Sequence, residues 1–274
     1  VQYIWGSNNV DALLRLYDVV RRGPPGEARG QATRNVRDLV LQLRAEPILT
    51  NFRARKFSPN YAKREWLWYL GADAFDDSIC EHATMWKKLA QPDGRFYSNY
   101  GYYIFDPDYG GHGISQFQYV VQMLKDDPGT RRASMVLLDA NHLFAENVDT
   151  VCTYAINFGI ENGGLHMTVN MRSNDVIFGF TNDAFCFSQL YEFVYQLVKL
   201  KYPSLKRGEY LHHANSMHVY ERHFDMIKQI VDDGYAGYAR AEVPHITAEE
   251  VVQIVRSKGK EGSGDYWNWL TSLD

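Results

Sequence analysis

Between Leu165 and Arg172 apolar and polar positions alternate strictly, with Leu165, Met167, Val169 and Met171 set against His166, Thr168, Asn170 and Arg172. A period of two marks a half-buried strand. Its end delivers a polar cluster, Arg172, Ser173, Asn174 and Asp175, followed by a bend at Gly179 and a second polar pair, Asn182 and Asp183. Polar groups at a strand end beside a glycine turn suit a binding site and equally a solvated cap, and the pattern alone does not choose.

The rest of the chain alternates between the helical and the extended period. Leu13, Leu14, Leu16, Tyr17, Val19 and Val20 predict a helix over residues 10–22, stopped by Gly23-Pro24-Pro25-Gly26. A polar loop follows through Glu27 to Arg34, before Leu39, Leu41 and Leu43 alternate as a strand. Residues 60–70 read as a helix ending at Gly71, in which Glu65 precedes five large apolar residues. That carboxylate lies either half-buried at a cleft, with a raised pKa, or on a solvated face. Residues 80–90 predict a further helix around Met85 and Trp86, and an aromatic stretch with little regular pattern runs from Phe96 to Tyr103.

Ser115 and Gln118 form a capping box for a helix through Leu124. Arg131 and Arg132 then enter a strand at residues 134–138. A strand over 151–158 carries Cys152, and Glu161-Asn162-Gly163-Gly164 turns it back as a hairpin onto the opening strand. A long amphipathic helix is expected over 184–200, extended structure over 209–220 ending in His218-Val219-Tyr220, a helix near 221–232, and a short one capped by Thr247 and Glu250. Neither a repeat nor a low-complexity linker interrupts this order. One α+β domain spanning 1–274 is therefore expected.

Composition narrows the class. A length of 274 residues with 45% hydrophobic and 23% charged content suits an ordinary globular protein. The net charge of −4 argues against a general nucleic-acid surface. With no apolar run of membrane-span length and only three scattered cysteines, Cys80, Cys152 and Cys186, a cytoplasmic protein without a disulfide framework is expected. A zinc site is not expected either. The four histidines at 212, 213, 218 and 223 lack helical ligand spacing and a cysteine partner.

Taken in order, Arg131-Arg132, Cys152, Arg172-Ser173-x-Asp175-x-x-x-Gly179 and His218-x-Tyr220 resemble the thymidylate synthase superfamily. Glu65, Trp86 and Tyr100 extend the likeness upstream, so that it covers about residues 29–225, whereas 235–274 diverges. The run from Val169 to Asp183 looks closest to the branch of deoxycytidylate and cytidylate 5-hydroxymethylases. Two departures from the synthase pattern agree with that branch: Thr150-Val151-Cys152-Thr153 stands where synthases carry Pro-Pro-Cys-His, and Asp183 stands where they carry Asn.

The resemblance implies a large mixed β-sheet flanked by helices, with one sheet face used for dimerisation. It also implies that Cys152 adds to C6 of a pyrimidine nucleotide, and that methylene-tetrahydrofolate is the co-substrate supplying one carbon to C5. By the same likeness, Arg172, Ser173 and Arg29 hold the phosphate, with Arg34 as the alternative loop arginine, and Arg131 and Arg132 reach it from the partner of an obligate homodimer. A guanidinium such as Arg172 is expected to lower the thiol pKa. Glu65 matches the family's general acid/base, Tyr100, His218 and Tyr220 match the residues lining base and sugar, and Trp86 and Asp175 match those facing the folate. Asp183 would read the base and favour cytosine, in CMP or dCMP, because a carboxyl can accept from N4 and, protonated, donate to N3. The competing expectations are a thymidylate synthase acting on dUMP and a non-catalytic RNA-binding or scaffold relative. Sugar preference, and with it phage DNA modification or antibiotic synthesis as the setting, stays open.

Overall fold

The computed structural model describes residues 1–143 and 148–273. After the short edge strand β1 (Gln2–Ile4), helix α1 (Asn9–Arg21) opens with Asn8 accepting from the Asp11 amide and buries Leu13, Leu16, Tyr17 and Val20. The expected polar loop at 27–34 is instead a β-hairpin. Strands β2 (Pro25–Ala28) and β3 (Gln31–Arg44) pair antiparallel around Arg29-Gly30, where both residues take positive φ. The hairpin is hidden because β2 pairs only with β3 and because the turn-proximal half of β3, residues 31–37, is mostly polar, so no apolar alternation marks it.

Helix α2 (Pro59–Gly71) starts at a Ser58 cap and runs as expected. The region expected as one helix over 80–90 is two 3-10 turns, Ser78–Glu81 and Trp86–Lys88. The aromatic stretch ends in helix α3 (Tyr100–Phe105). Gly101 lets α3 cross α2 closely: a Cβ there would stand 1.8 Å from the Tyr69 carbonyl oxygen. Helix α4 (Gln116–Asp126) carries the expected capping box. Strand β4 (Ser134–Val136), the short helix α5 (Ala140–Leu143), and the hairpin of β5 (Thr153–Glu161) with β6 (Gly164–Met171) follow.

Strand β7 (Asn174–Asp175) leads into helix α6 (Gly179–Lys199), which begins five residues earlier than expected. Gly179 is thus its first residue rather than a bend, and Asn182 and Asp183 belong to the helix. Strand β8 (Lys206–Tyr220), helices α7 (Phe224–Asp233), α8 (Ala248–Arg256) and α9 (Gly264–Thr271) complete the chain.

The strands form one mixed sheet in the order β1-β3-β8-β6-β5-β4, with β2 on β3 and β7 on β8. One face packs on α6, which is buried along nearly its whole length, and one apolar core runs from Ile4 to Leu270. The other face is polar. Asn157 donates to Ser134, Asn170 to Asn157, and Asn215 to Asp38, so neighbouring strands are laced by side chains as well as backbone, and Tyr154 of β5 donates to Asn215 of β8 across β6. Across Asn215 and Ser216 the buried positions of β8 switch from even (Tyr210, His212, Ala214) to odd (Met217, Val219). This flip matters for chemistry: it puts His212 inside while His218 stays accessible, six residues along one strand.

Among the described residues no helix is long and apolar enough to cross a membrane.

Candidate active site

Cys152 sits immediately before β5, and Arg172 immediately after β6, at the open end of their hairpin. The Arg172 amide donates to the Cys152 carbonyl at 2.8 Å. Its guanidinium donates to the carbonyls of Val151 (3.0 Å) and Thr150 (2.6 Å). The arginine therefore splints the segment that presents the thiol. Burial pushes the Cys152 thiol up to about 11; Arg172 and Arg29 pull it down, and Asp183 and Asp149 oppose them. The expected lowering by Arg172 is present, but the net direction is corrected: desolvation outweighs the guanidinium.

Asp183 lies in the second turn of α6, half-buried, and one of its oxygens accepts from Asn174 Nδ2 at 3.1 Å. Its pKa is raised well above the usual carboxylate range, first by burial and then by the Glu65 charge. Asn174 is itself buried, and a Cβ at position 179 would stand 2.7 Å from its Oδ1. The glycine of the motif is thus explained by close approach of the amide and not by a turn.

Glu65, on α2, is 5% exposed and accepts from the Tyr69 hydroxyl at 3.1 Å. Burial pushes its pKa up to about 7, partly offset by the hydroxyls of Tyr69 and Tyr61. Tyr61 in turn accepts from the Trp86 indole nitrogen at 2.9 Å. The solvated-face alternative for Glu65 is excluded by its burial. An acid whose folded pKa lies above its unfolded value loses stability as pH rises between the two. We predict that the fold weakens between about pH 4.5 and 7 and that Glu65→Gln removes about 3 kcal/mol of this loss. Denaturant midpoints of both proteins at pH 5 and pH 8 measure it, and equal pH dependence in the two would refute it.

Tyr100 is buried, stacks on Phe187 with ring centroids 6.0 Å apart, and feels the charges of Cys152 and Asp183. It walls the space between thiol and carboxyl. Trp86 is 6% exposed, with its ring 4.9 Å from Trp68, so it belongs to the wall rather than standing free in the cleft. Asp175 accepts from the Ile177 amide at 3.0 Å and faces His218, whose ring lies edge-on to Tyr220 at 5.0 Å. Burial lowers the His218 pKa, with Asp175 opposing.

At the tip of the β2–β3 hairpin, Arg29 acts on both Cys152 and His218. Arg34 points elsewhere: it donates to the Gly23 carbonyl at 3.5 Å, and its guanidinium lies over Phe224 at 5.9 Å. Arg131 and Arg132 stand exposed between α4 and β4, outside this cluster. Ser173 is half-buried beside Arg172.

Several members of the site are silent in the sequence. Tyr61 and Tyr69 flank Glu65 one turn away on either side along α2, and Tyr210 lies two residues from His212 on β8, yet ordinary aromatic content masks both pairs; Asp149 acts on Cys152 from the loop before β5. Cys186, on α6 and buried, also lies within reach of the Glu65 and Asp183 charges, which with burial raise its thiol pKa. A surface depression of about 560 Å³ between Leu200 and α8 lies at the other end of α6, about 25 Å from Asp183 along the helix. It has no part in the cluster.

The family model described as thymidylate synthase matches residues 15–254. The chain is 28% identical over 186 residues to a thymidylate synthase of Bacillus atrophaeus, covering 66% of this chain and 78% of that one. It is 31% identical over 180 residues to the deoxycytidylate 5-hydroxymethyltransferase of Enterobacteria phage T4, covering 61% and 69% respectively. The corresponding enzyme of phage T6 is 30% identical over 174 residues, with coverage of 61% and 69%.

Proposed function

Because this chain belongs to the thymidylate synthase family, we propose that it is a folate-dependent transferase acting at C5 of a pyrimidine nucleotide, and more narrowly a hydroxymethylase of CMP or dCMP. The observation that carries the narrower reading is Asp183, a carboxyl held by Asn174 on the same cluster as Cys152, its pKa raised by burial and by the Glu65 charge so that the protonated form is favoured. An acid of this kind offers a carbonyl oxygen to the N4 amino group and a hydroxyl to N3. Uracil presents the opposite pattern there, an acceptor at C4 and a donor at N3. The likeness to phage enzymes named for deoxycytidylate supports the same base.

In this reading Cys152 Sγ bonds to C6, and the electron pair displaced to C5 makes that carbon nucleophilic. Methylene-tetrahydrofolate supplies the one-carbon unit to C5. The C5 hydrogen leaves as a proton as the bond from the one-carbon unit to the folate nitrogen breaks and tetrahydrofolate departs; water then adds to the exocyclic methylene so formed, and Cys152 departs as the ring double bond returns. The products are the 5-hydroxymethyl nucleotide and tetrahydrofolate. Glu65, poised near pH 7, holds and moves protons within this wall. Arg172, Ser173 and Arg29 bind phosphate, joined by Arg131 and Arg132 of a second copy packed on the polar sheet face; their exposure, away from the cluster of their own chain, supports that assignment. Tyr100, His218 and Tyr220 border base and sugar, and Trp86 and Asp175 lie toward the folate.

Incubation with methylene-tetrahydrofolate and each of CMP, dCMP, UMP and dUMP, followed by mass analysis, tests the reading. The expected product is 5-hydroxymethyl-CMP or 5-hydroxymethyl-dCMP. Methylated dUMP alone would assign a thymidylate synthase, and absence of any product from all four would leave a non-catalytic relative.

A further inference from the structure

Behind Asp183 three polar side chains, nearly sealed from solvent, stand in single file. Asn174 is 4% exposed, and His212 and Tyr210 are 0% exposed. Asn174 Nδ2 lies 3.1 Å from Asp183 Oδ2 and 3.1 Å from His212 Nε2, and the other ring nitrogen, Nδ1, lies 2.8 Å from the Tyr210 hydroxyl. Met171 Sδ also stands 2.9 Å from the same amide nitrogen. Asn174 Oδ1 has no hydrogen-bond partner among the described residues and faces Gly179. Phe180 packs edge-on against the His212 ring at 5.0 Å.

The hydrogen count fixes the directions. Burial holds His212 near a pKa of about 3, so the ring is neutral and has one donor and one acceptor nitrogen. An amide with Nδ2 toward Asp183 and His212 uses both its hydrogens. The reversed amide would bury both against Gly179 with no acceptor, and an orphaned donor costs more than an under-used carbonyl. Nδ2 can donate to Nε2 only when the ring proton sits on Nδ1, which then donates to the Tyr210 oxygen. Each link requires the one before it.

We propose that His212, backed by Tyr210, is a positioning residue for base recognition: it orients the Asn174 amide so that Asp183 Oδ2 is held as an acceptor, leaving the acid proton on Oδ1 for N3 of cytosine. This rests on the cytosine reading of the site. A donor in place of Nε2 would turn the amide over, draw the Asp183 proton to Oδ2, and present the base with an Oδ1 acceptor suited to uracil N3–H. Selectivity is therefore set one layer behind the residue that touches the base.

The first test needs no variant. In 15N-histidine-labelled protein, two-bond nitrogen–proton correlations are expected to show His212 as the Nδ1–H tautomer, and an Nε2–H tautomer overturns the proposal. In the second, His212→Phe is expected to cut the ratio of cytosine to uracil kcat/KM about tenfold, with an unchanged KM for the folate. His212→Gln, which can return an acceptor oxygen to the amide, is expected to keep the ratio within about threefold. An unchanged ratio in His212→Phe, or equal loss in both variants, overturns the proposal; if His212→Phe does not fold, the tautomer decides. A wild-type enzyme that prefers uracil with His212 as Nδ1–H would instead refute the cytosine reading, separating the two failures.

Discussion

Cys152→Ala yields no hydroxymethyl product and no exchange of the C5 hydrogen with solvent, while nucleotide affinity stays within about threefold of wild type. The expected loss in turnover is at least about 10⁴-fold, because without addition at C6 the pyrimidine C5 has no electron pair to offer. Binding survives because the phosphate ligands and Asp183 are untouched and because Arg172 grips the backbone of Thr150 and Val151, not the side chain of Cys152. Release of tritium from C5-labelled nucleotide separates addition from later steps. Retained exchange would remove Cys152 from the mechanism and turn attention to Cys186, which lies buried beside the same carboxyls. Mixing Cys152→Ala with an inactive Arg132→Glu protein extends the same prediction. If arginines cross between copies, a hybrid dimer regains one complete site, and a lack of any regained activity would keep Arg132 out of the partner's pocket.

Asp183→Asn reverses the choice of base. The amide offers a donor and an acceptor in the pattern uracil requires, and it leaves cytosine N4 and N3 facing mismatched groups. Sites built around buried hydrogen bonds reject a mismatched partner strongly, so the ratio of cytosine to uracil kcat/KM is expected to fall by about two to four orders of magnitude. The substitution also removes a buried acid whose pKa is raised, relieving a destabilisation that sets in as pH rises above the ordinary carboxylate range. The variant should therefore be at least as stable as wild type at pH 8. Competition between dCMP and dUMP in one vessel gives the ratio directly. A ratio that stays put would mean that the base is read by another wall, with Tyr100 the nearest alternative.

How much of the fold and site is legible in sequence depends on how far apart the partners lie. The β5–β6 hairpin and the capping boxes at Ser115 and Thr247 are local, so alternation and turn chemistry reveal them. The start of α6 is hidden because Gly179 and Asn182 look like loop residues, whereas the glycine is there for Asn174. The β2–β3 hairpin is hidden because β2 and the turn-proximal half of β3 are mostly polar and show no apolar alternation. Glu65 shows the limit most clearly: one sequence fits a solvated and a buried carboxyl equally, and only the approach of α3 and α6 decides. The thiol pKa likewise depends on a balance between burial and charge that no spacing encodes. His212 gives no signal beyond its identity, since its importance lies in a parity switch partway along β8.

Arg172 ties affinity to reactivity. One guanidinium both splints the backbone that carries the nucleophile and stands in the proposed phosphate cradle. Shortening or neutralising it cannot weaken ground-state affinity alone, because the attacking atom moves at the same time. Losses at this position should appear in KM and kcat together. Double substitutions pairing it with Cys152 should be strongly sub-additive.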